Sequence, residues 1–346
     1  MQTTLLKTEN MIQKSWTNPD IMVSICCITY NQEEYITDTL DGFIQQETAF
    51  PFEIIIHDDA STDKTADIIR IYHSKYPTII KPIYQTDNQY SKGVEIYAEF
   101  VFPSAKGDFV ALCEGDDYWI DPHKLQKQVD ALLDHPSCDL CFHPAYGLSR
   151  NGEKKILCNY GAKARIISSP EVILGGGGFM PTASILYRKS VNEHIQSFYE
   201  VCPTPPVSDI IYQFLGSMRG GALYLSDIMS IYRTDFPGSW SAEINSNSDA
   251  RKKFITPLIN LYELLDQFSK GLFHKEIRSI HNGIVVGALS NINFDRTSRQ
   301  TFKKEYSHYL KPLDKTRIKL TLIKKTIRHS IKKILTCFGL YNAYEK

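Results

Sequence analysis

The chain has 346 residues, 42% hydrophobic and 23% charged, the balance of a folded globular protein and not of a disordered one. That length predicts one sizeable core with an appendage. Lys plus Arg and Asp plus Glu both number 39, so no overall charge points to a nucleic-acid partner, and none is expected. No run reaches the roughly 18 apolar residues of a membrane span. The opening stretch MQTTLLKTENMIQKSWTNPD has no apolar segment of signal-peptide type. Eight cysteines without an export signal therefore predict a reducing, cytoplasmic setting.

Residues 21–30, IMVSICCITY, form an apolar, β-branched run of buried-strand type. After it, Tyr35, Ile36, Leu40, Phe43 and Ile44 recur at near-helical spacing. PFEIIIHDD (51–59) predicts a second strand, and Ser61, Thr62 and Asp63 are N-cap candidates for a helix carrying Ile68, Ile69 and Tyr72. Ile79–Tyr84 reads as a third strand, DNQYSKG as a turn, Glu95–Phe102 as a helix and GDFVALC (107–113) as a fourth strand. Asp121-Pro122 then opens a helix of HKLQKQVDALL. This alternation predicts an α/β fold on a mostly parallel sheet, with ligands at the carboxyl ends of its strands.

From Asp139 to about Tyr232 the strands shorten and glycines and prolines accumulate; from about Asp249 the pattern is helical. The expected organisation is an N-terminal segment 1–20, a catalytic-scale domain 21–245 and a helical region 246–346. Cys138 and Cys141 stand three apart, on opposite faces if the stretch is a strand, and read as buried thiols and not as half of a metal site. His57, His123 and His143 lack ligand spacing and read as surface or core histidines.

The chemistry concentrates where the strands end: Tyr30-Asn31, Asp58-Asp59 and Glu114-Gly115-Asp116-Asp117. Three carboxylates within four residues repel one another, and a Mg²⁺ or Mn²⁺ ion, which prefers hard oxygen ligands, relieves that repulsion. The bland alternatives are helix capping by the acids and core packing for Tyr30. Gly175 to Gly178 is not a GxGxxG motif, because Met180 takes the last position, and no Walker-type Lys-Ser/Thr follows.

The order of these pieces resembles the family-2 inverting glycosyltransferases, which have the GT-A fold. The matching stretches are VSICCITYNQEEYI, FEIIIHDDASTDKT and KGDFVALCEGDDYWIDPHKLQKQV, with weaker matches through GGGGFMPTASILYRKS and PVSDIIYQFLGSMRGGALYLSDIMSIYR to Gly238-Ser239-Trp240. The resemblance spans roughly residues 21 to 241. It implies a central sheet flanked by helices with a helical C-terminal extension, a nucleotide-sugar donor (UDP-linked by expectation) and a divalent metal. Residue by residue, it places Tyr30 against the base, with Asn31 shaping the loop, and Asp59 bonding the base, with Asp58 as substitute. Asp117 becomes the metal ligand, Asp116 faces the donor ribose and sugar beside it, and Asp209 is the catalytic base. Gly177, Gly178, Thr182, Arg233 and Trp240 fall in the acceptor region, the glycines as a flexible loop before the strand PTASILYR; Arg233 reads equally as a diphosphate contact or an internal ion pair. The Gln-x-x-Arg-Trp motif of processive synthases is absent, which implies one sugar added per acceptor. Ser208 precedes Asp209 where many relatives carry Glu-Asp.

The implied function is extension of a surface polysaccharide, on a glycan or lipid-linked glycan acceptor. Two rivals are a sugar-nucleotide nucleotidyltransferase, which needs a Gly-rich basic loop where this chain has TYNQEEY, and a non-catalytic nucleotide-sugar or glycan-binding protein. From Lys311 to Lys346 there are ten Lys/Arg against Asp314 and Glu345. Within that tail Leu320, Ile323, Ile327, Ile331, Ile334 and Phe338 follow at spacings of three or four, one apolar stripe on a helix, with Lys324, Lys325, Arg328, Lys332 and Lys333 on the rest of its surface. Such a helix fits peripheral attachment to an anionic inner membrane face; packing on protein is the alternative.

Overall fold

In the computed structural model the described residues are 7–234, 248–290 and 296–337; side chains are described for all of these except 248–252, 296, 298 and 326–337. The chain divides into two compact units, 1–242 and 243–346.

The first unit opens with a short helix α1 (Glu9–Gln13) and then alternates as its sequence predicts: β1 (Val23–Thr29), α2 (Ile36–Ile44), β2 (Phe52–Asp58), α3 (Thr65–Lys75), β3 (Ile80–Tyr84) and β4 (Phe109–Leu112). β1 pairs in parallel with β2 and with β4, and β2 with β3. Every residue of β2 and β4, and all but one of β1, is buried, which is why these strands read as continuous apolar runs. The stretch read as a helix from Glu95 is instead a π-helical turn at Tyr97–Val101 followed by a 3-10 turn at Phe102–Ser104. Pro103 explains the break, since its ring denies the helix a donor.

Beyond β4 come β5 (Tyr118–Trp119), α4 (Lys124–Asp134), β6 (Leu140–Phe142), β7 (Ala145–Ser149), β8 (Lys154–Leu157), β9 (Arg165–Ile167), α5 (Ser169–Gly175), β10 (Leu186–Arg188), α6 (Val191–Val201), α7 (Ser208–Ser217), β11 (Ala222–Tyr224) and β12 (Ser230–Thr234). One sheet runs β3-β2-β1-β4-β10-β6-β11-β9, and a smaller one β5-β12-β7-β8. β10 is antiparallel to both neighbours and β9 to β11, so beyond the four parallel strands β3-β2-β1-β4 only β6 and β11 pair in parallel. Cys138 and Cys141 are buried free thiols at β6. His57 is buried beneath Phe100, His143 is buried, and His123 lies on the surface.

The second unit contains α8 (Ser248–Phe268), α9 (His274–Leu289), α10 (Arg296–Tyr306) and α11 (Asp314–Cys337). Its small core joins Ile259, Val285, Ala288, Leu289, Phe302 and Tyr306. The first turn of α11 is fastened to this unit, because Asp314 Oδ2 accepts from Asn282 Nδ2 and the Lys311 amide, each at 2.6 Å. No described helix is long and apolar enough to cross a membrane.

Candidate active site

The parallel strands deliver their terminal residues to one edge. Tyr30 follows β1 and is 45% exposed, a free aromatic face where packing would have buried it. Asn31 adopts a left-handed φ of 51°. Its amide donates to Ser61 Oγ at 2.9 Å and its Oδ1 accepts from the Thr62 amide at 2.7 Å, so it ties the loop after β1 to the loop after β2. Asp63 Oδ1 accepts from the Thr65 amide at 2.9 Å and so serves the start of α3.

Asp58 and Asp59 are both buried and differ in their bonds. Asp59 takes the Gln89 amide on Oδ1 at 2.8 Å and the Tyr90 amide on Oδ2 at 3.0 Å, which organises the 3-10 turn Tyr90–Lys92. Asp58 accepts from the Ser61 amide on Oδ2 at 3.2 Å, while its buried Oδ1 has no protein partner. Asp59 is thus largely engaged within the fold, and the unpartnered oxygen belongs to its neighbour.

The acidic turn after β4 lies against the loop after β1. A Cβ on Gly115 would come within 2.4 Å of Gln32 Oε1 and 2.8 Å of Thr29 Cβ, so only glycine lets the two approach. The Thr39 hydroxyl donates to Asp117 O at 2.6 Å. Asp117 is 1% exposed; its Oδ1 accepts from the Arg233 amide at 2.9 Å, and its Oδ2 is buried without a protein partner. Burial, together with the mutual repulsion of Glu114, Asp116, Asp117 and Asp209, holds Glu114 and Asp117 well above the ordinary carboxylate range. Burial also raises Asp116, against which the Arg233 charge pulls down.

Of the two readings the sequence left open for Arg233, a diphosphate contact and an internal ion pair, the structure shows the ion pair, with Asp38. Its guanidinium is buried between the rings of Tyr35 and Tyr118, 4.9 and 4.7 Å from their centroids, and it bonds Asp38 and the Asp116 carbonyl. It braces the acidic turn from below. Trp240 lies outside the described residues.

A third wall comes from α7. Asp209 stands in its first turn, and burial pushes its carboxyl up to about 6, with a hydrogen bond from Thr182 opposing and the Glu95 charge adding to the rise. Gly177 belongs to the same wall: a Cβ there would sit 3.1 Å from Ile210 and 3.9 Å from Asp209 Cβ, and its carbonyl accepts from Gln213 Nε2 at 2.7 Å. The four glycines are thus the end of α5 and a 3-10 turn, Gly177–Phe179, and not an open loop; a Cβ on Gly178 would meet nothing within 4 Å. Of the predicted strand PTASILYR, residues Thr182–Ser184 are a 3-10 turn and only Leu186–Arg188 are sheet. Glu95, which sequence reading passed over, reaches this wall and bonds Ser208 and Tyr212.

The residues present fit a divalent cation. Among the described residues no group of three or more His, Cys, Asp or Glu is placed to hold a metal ion by itself. A buried, unpartnered Asp117 oxygen among repelling carboxylates is instead the half-site expected where substrate phosphates complete the coordination.

Residues 24–196, half of the chain, match the family model for glycosyl transferase family 2. The chain belongs to that family, and its fold is of the GT-A type. The uncharacterized protein Rv1520 of Mycobacterium tuberculosis is 38% identical over 233 residues, covering 66% of this chain and 63% of that protein. The chain thus spans less than two thirds of that relative. WfaP of Escherichia coli, named a UDP-Glc:alpha-D-GlcNAc-diphosphoundecaprenol beta-1,3-glucosyltransferase, is 35% identical over 108 residues, 31% of this chain and 40% of WfaP. The crystal structure of Staphylococcus aureus TarS residues 1–349 in complex with UDP-GlcNAc superposes with a TM-score of 0.60 at 17% identity, covering 90% of this chain and 92% of that one, a likeness of fold.

Proposed function

We propose that this protein is a non-processive, inverting glycosyltransferase that moves a sugar from a UDP-sugar to a hydroxyl of a glycan or lipid-linked glycan in surface polysaccharide biosynthesis. The observation that carries the proposal is the meeting of Asp58-Asp59 and Asp116-Asp117 at the carboxyl ends of the strands with Asp209 of α7 facing the acidic turn, and a buried oxygen left unpartnered on Asp58 and on Asp117. The nature of the donor and acceptor is supported by what WfaP is named for and by the UDP-GlcNAc held by TarS.

In this reading Tyr30 stacks on the base, and the unpartnered Oδ1 of Asp58, with Asp59 beside it, receives the one N–H of the uracil ring. Asp116 accepts from the donor ribose and sugar. Asp117, with Asp116 beside it, would hold a divalent cation, Mn²⁺ or Mg²⁺, which when bound would supply Lewis-acid stabilisation of charge on the diphosphate. Thr182 orients Asp209, and Gly177 and Gly178 leave room for the acceptor beside it. The acceptor oxygen bonds the anomeric carbon from the face opposite the diphosphate, and the bond to the diphosphate oxygen breaks with its electron pair. The hydroxyl proton passes to Asp209. A base raised to about 6 suits this work near neutral pH. Arg233 is given the role of brace and not of acceptor contact.

The setting proposed is the cytoplasmic membrane face. It is supported by Leu313, Leu320 and Ile323, which are 81%, 54% and 45% exposed beside Lys315, Arg317, Lys319 and Lys324. A panel of UDP-sugars scored for UDP release, with Mn²⁺ and with EDTA, tests the function. Release from at least one donor that EDTA abolishes is expected; tight UDP-sugar binding without turnover on any acceptor extract points to the binding-protein alternative.

A further inference from the structure

The helix that carries Asp209 begins without help from its own sequence. Val207 precedes α7 and supplies no side-chain cap, so the first-turn amides lack the partner that a Ser, Thr, Asn or Asp would give. A carboxylate from elsewhere in the chain instead holds hydroxyl side chains of the helix's first five residues. Glu95 Oε1 accepts from Ser208 Oγ at 3.0 Å and from Tyr212 OH at 3.2 Å. Ser208 and Tyr212 lie four residues apart, on one face of the helix, with Asp209 next in line. Glu95 Oε2 accepts from the Ala98 amide at 2.8 Å, which fixes the carboxylate at the head of the π-helical turn Tyr97–Val101. The same segment is clamped to α7 by rings: Tyr97 and Phe102 each meet Tyr212 edge-on at 5.9 Å. Glu95 also places a negative charge by the positive end of the helix.

We propose that Glu95 is a positioning residue for the base, tethering the first turn of α7 through Ser208 and Tyr212 so that Asp209 is held toward the acceptor. Ser208, the residue directly before Asp209, supplies the hydroxyl through which Glu95 reaches the base's own turn. The proposal rests on the reading of Asp209 as the base. The groups facing Asp209 are Glu95 ahead of the π-turn, Glu114 and Asp117 after β4, and Thr182 before β10. Thr182 bonds Asp209 itself, whereas Glu95 bonds two other residues of the helix, Ser208 and Tyr212.

The test compares Glu95→Gln, Glu95→Ala and Asp209→Asn in the full chain by two measurements. Hydrogen exchange of the amides of residues 208–212 reads the tether directly and does not depend on activity. Faster exchange there in Glu95→Ala, with Glu95→Gln intermediate and the sheet unchanged, is expected; unchanged exchange overturns the tether. UDP release from UDP-glucose and UDP-GlcNAc reads catalysis. Glu95→Ala should lower kcat by roughly 10²-fold, the cost of a misplaced group, and Glu95→Gln by about tenfold, with donor KM within about threefold. Wild-type turnover in both, or a Glu95→Gln loss as deep as that of Asp209→Asn, overturns the positioning role. If Asp209→Asn itself retains activity, or the wild type releases no UDP, the underlying reading fails instead, while the exchange measurement still decides the tether.

Discussion

The main-chain N–H of Arg233 donates to Asp117 Oδ1 at 2.9 Å, joining β12 to the acidic turn across 116 residues of sequence. One carboxylate oxygen is thereby oriented by the smaller sheet, and the other, Oδ2, remains buried without a protein partner. The division of labour within one carboxylate is the feature on which the first prediction rests.

Asp117→Asn keeps the oxygen that accepts from Arg233 and removes the charge. The variant should retain its circular dichroism spectrum and lower UDP release by at least about 10²-fold, since one stabiliser of developing charge is usually worth about 3 kcal/mol. Full activity in EDTA, or in the variant, removes Asp117 from the metal site.

Asp209 must be ionised to receive a proton, and burial pushes its carboxyl up to about 6. Activity should therefore fall as pH drops through about 6 and hold above it. Asp209→Asn should abolish transfer while leaving UDP affinity, measured calorimetrically with Mn²⁺, within a few fold. Collapse of UDP binding would make Asp209 a donor contact.

Lys124 is fully buried, donates to Gln128 Oε1 at 2.7 Å and lies 3.9 Å above the Trp119 ring. Burial lowers its ammonium to about 7. The unfolded chain keeps that proton up to about pH 10.4, so it binds more protons above pH 7 and stability rises with pH there. Urea unfolding at pH 7 and pH 8.5 should show the wild type gaining on Lys124→Met by up to about 1.4 kcal/mol per pH unit. Parallel pH dependence in the two proteins would contradict a depressed lysine.

The exposed residues Leu320 and Ile323 can be changed without touching the core of the second unit. The full chain should co-sediment with anionic vesicles at low salt and release at high salt, and Leu320→Asp with Ile323→Asp should weaken that binding at least tenfold. Because Asp314 anchors α11, a shortened chain is best ended after Lys325 and not near Lys311. Vesicle binding unaffected by the substitutions or by the shortening takes the helix out of the account.

The sequence by itself determined the first four strands, α2 to α4 and the acids at the strand ends, because doubly covered parallel strands such as β1, β2 and β4 must be apolar along their whole length and then stop at polar residues. Period and composition carry that information locally. It also located Asp209, though only through a family resemblance, since nothing in the helix pattern of SDIIYQFLGS distinguishes a base from a first-turn acid. Tertiary structure alone decided which oxygens are already engaged: Asp59 by the Gln89 and Tyr90 amides, Asp117 by the Arg233 amide, with Asp58 Oδ1 and Asp117 Oδ2 left over. The distant partners of Arg233 and Glu95, Asp38 and Ser208, were likewise unreadable in sequence, because they lie 195 and 113 residues away and no spacing rule reaches across that distance. Local pattern records what a segment must bury; the bonds of a charged side chain depend on which distant segment the fold brings beside it.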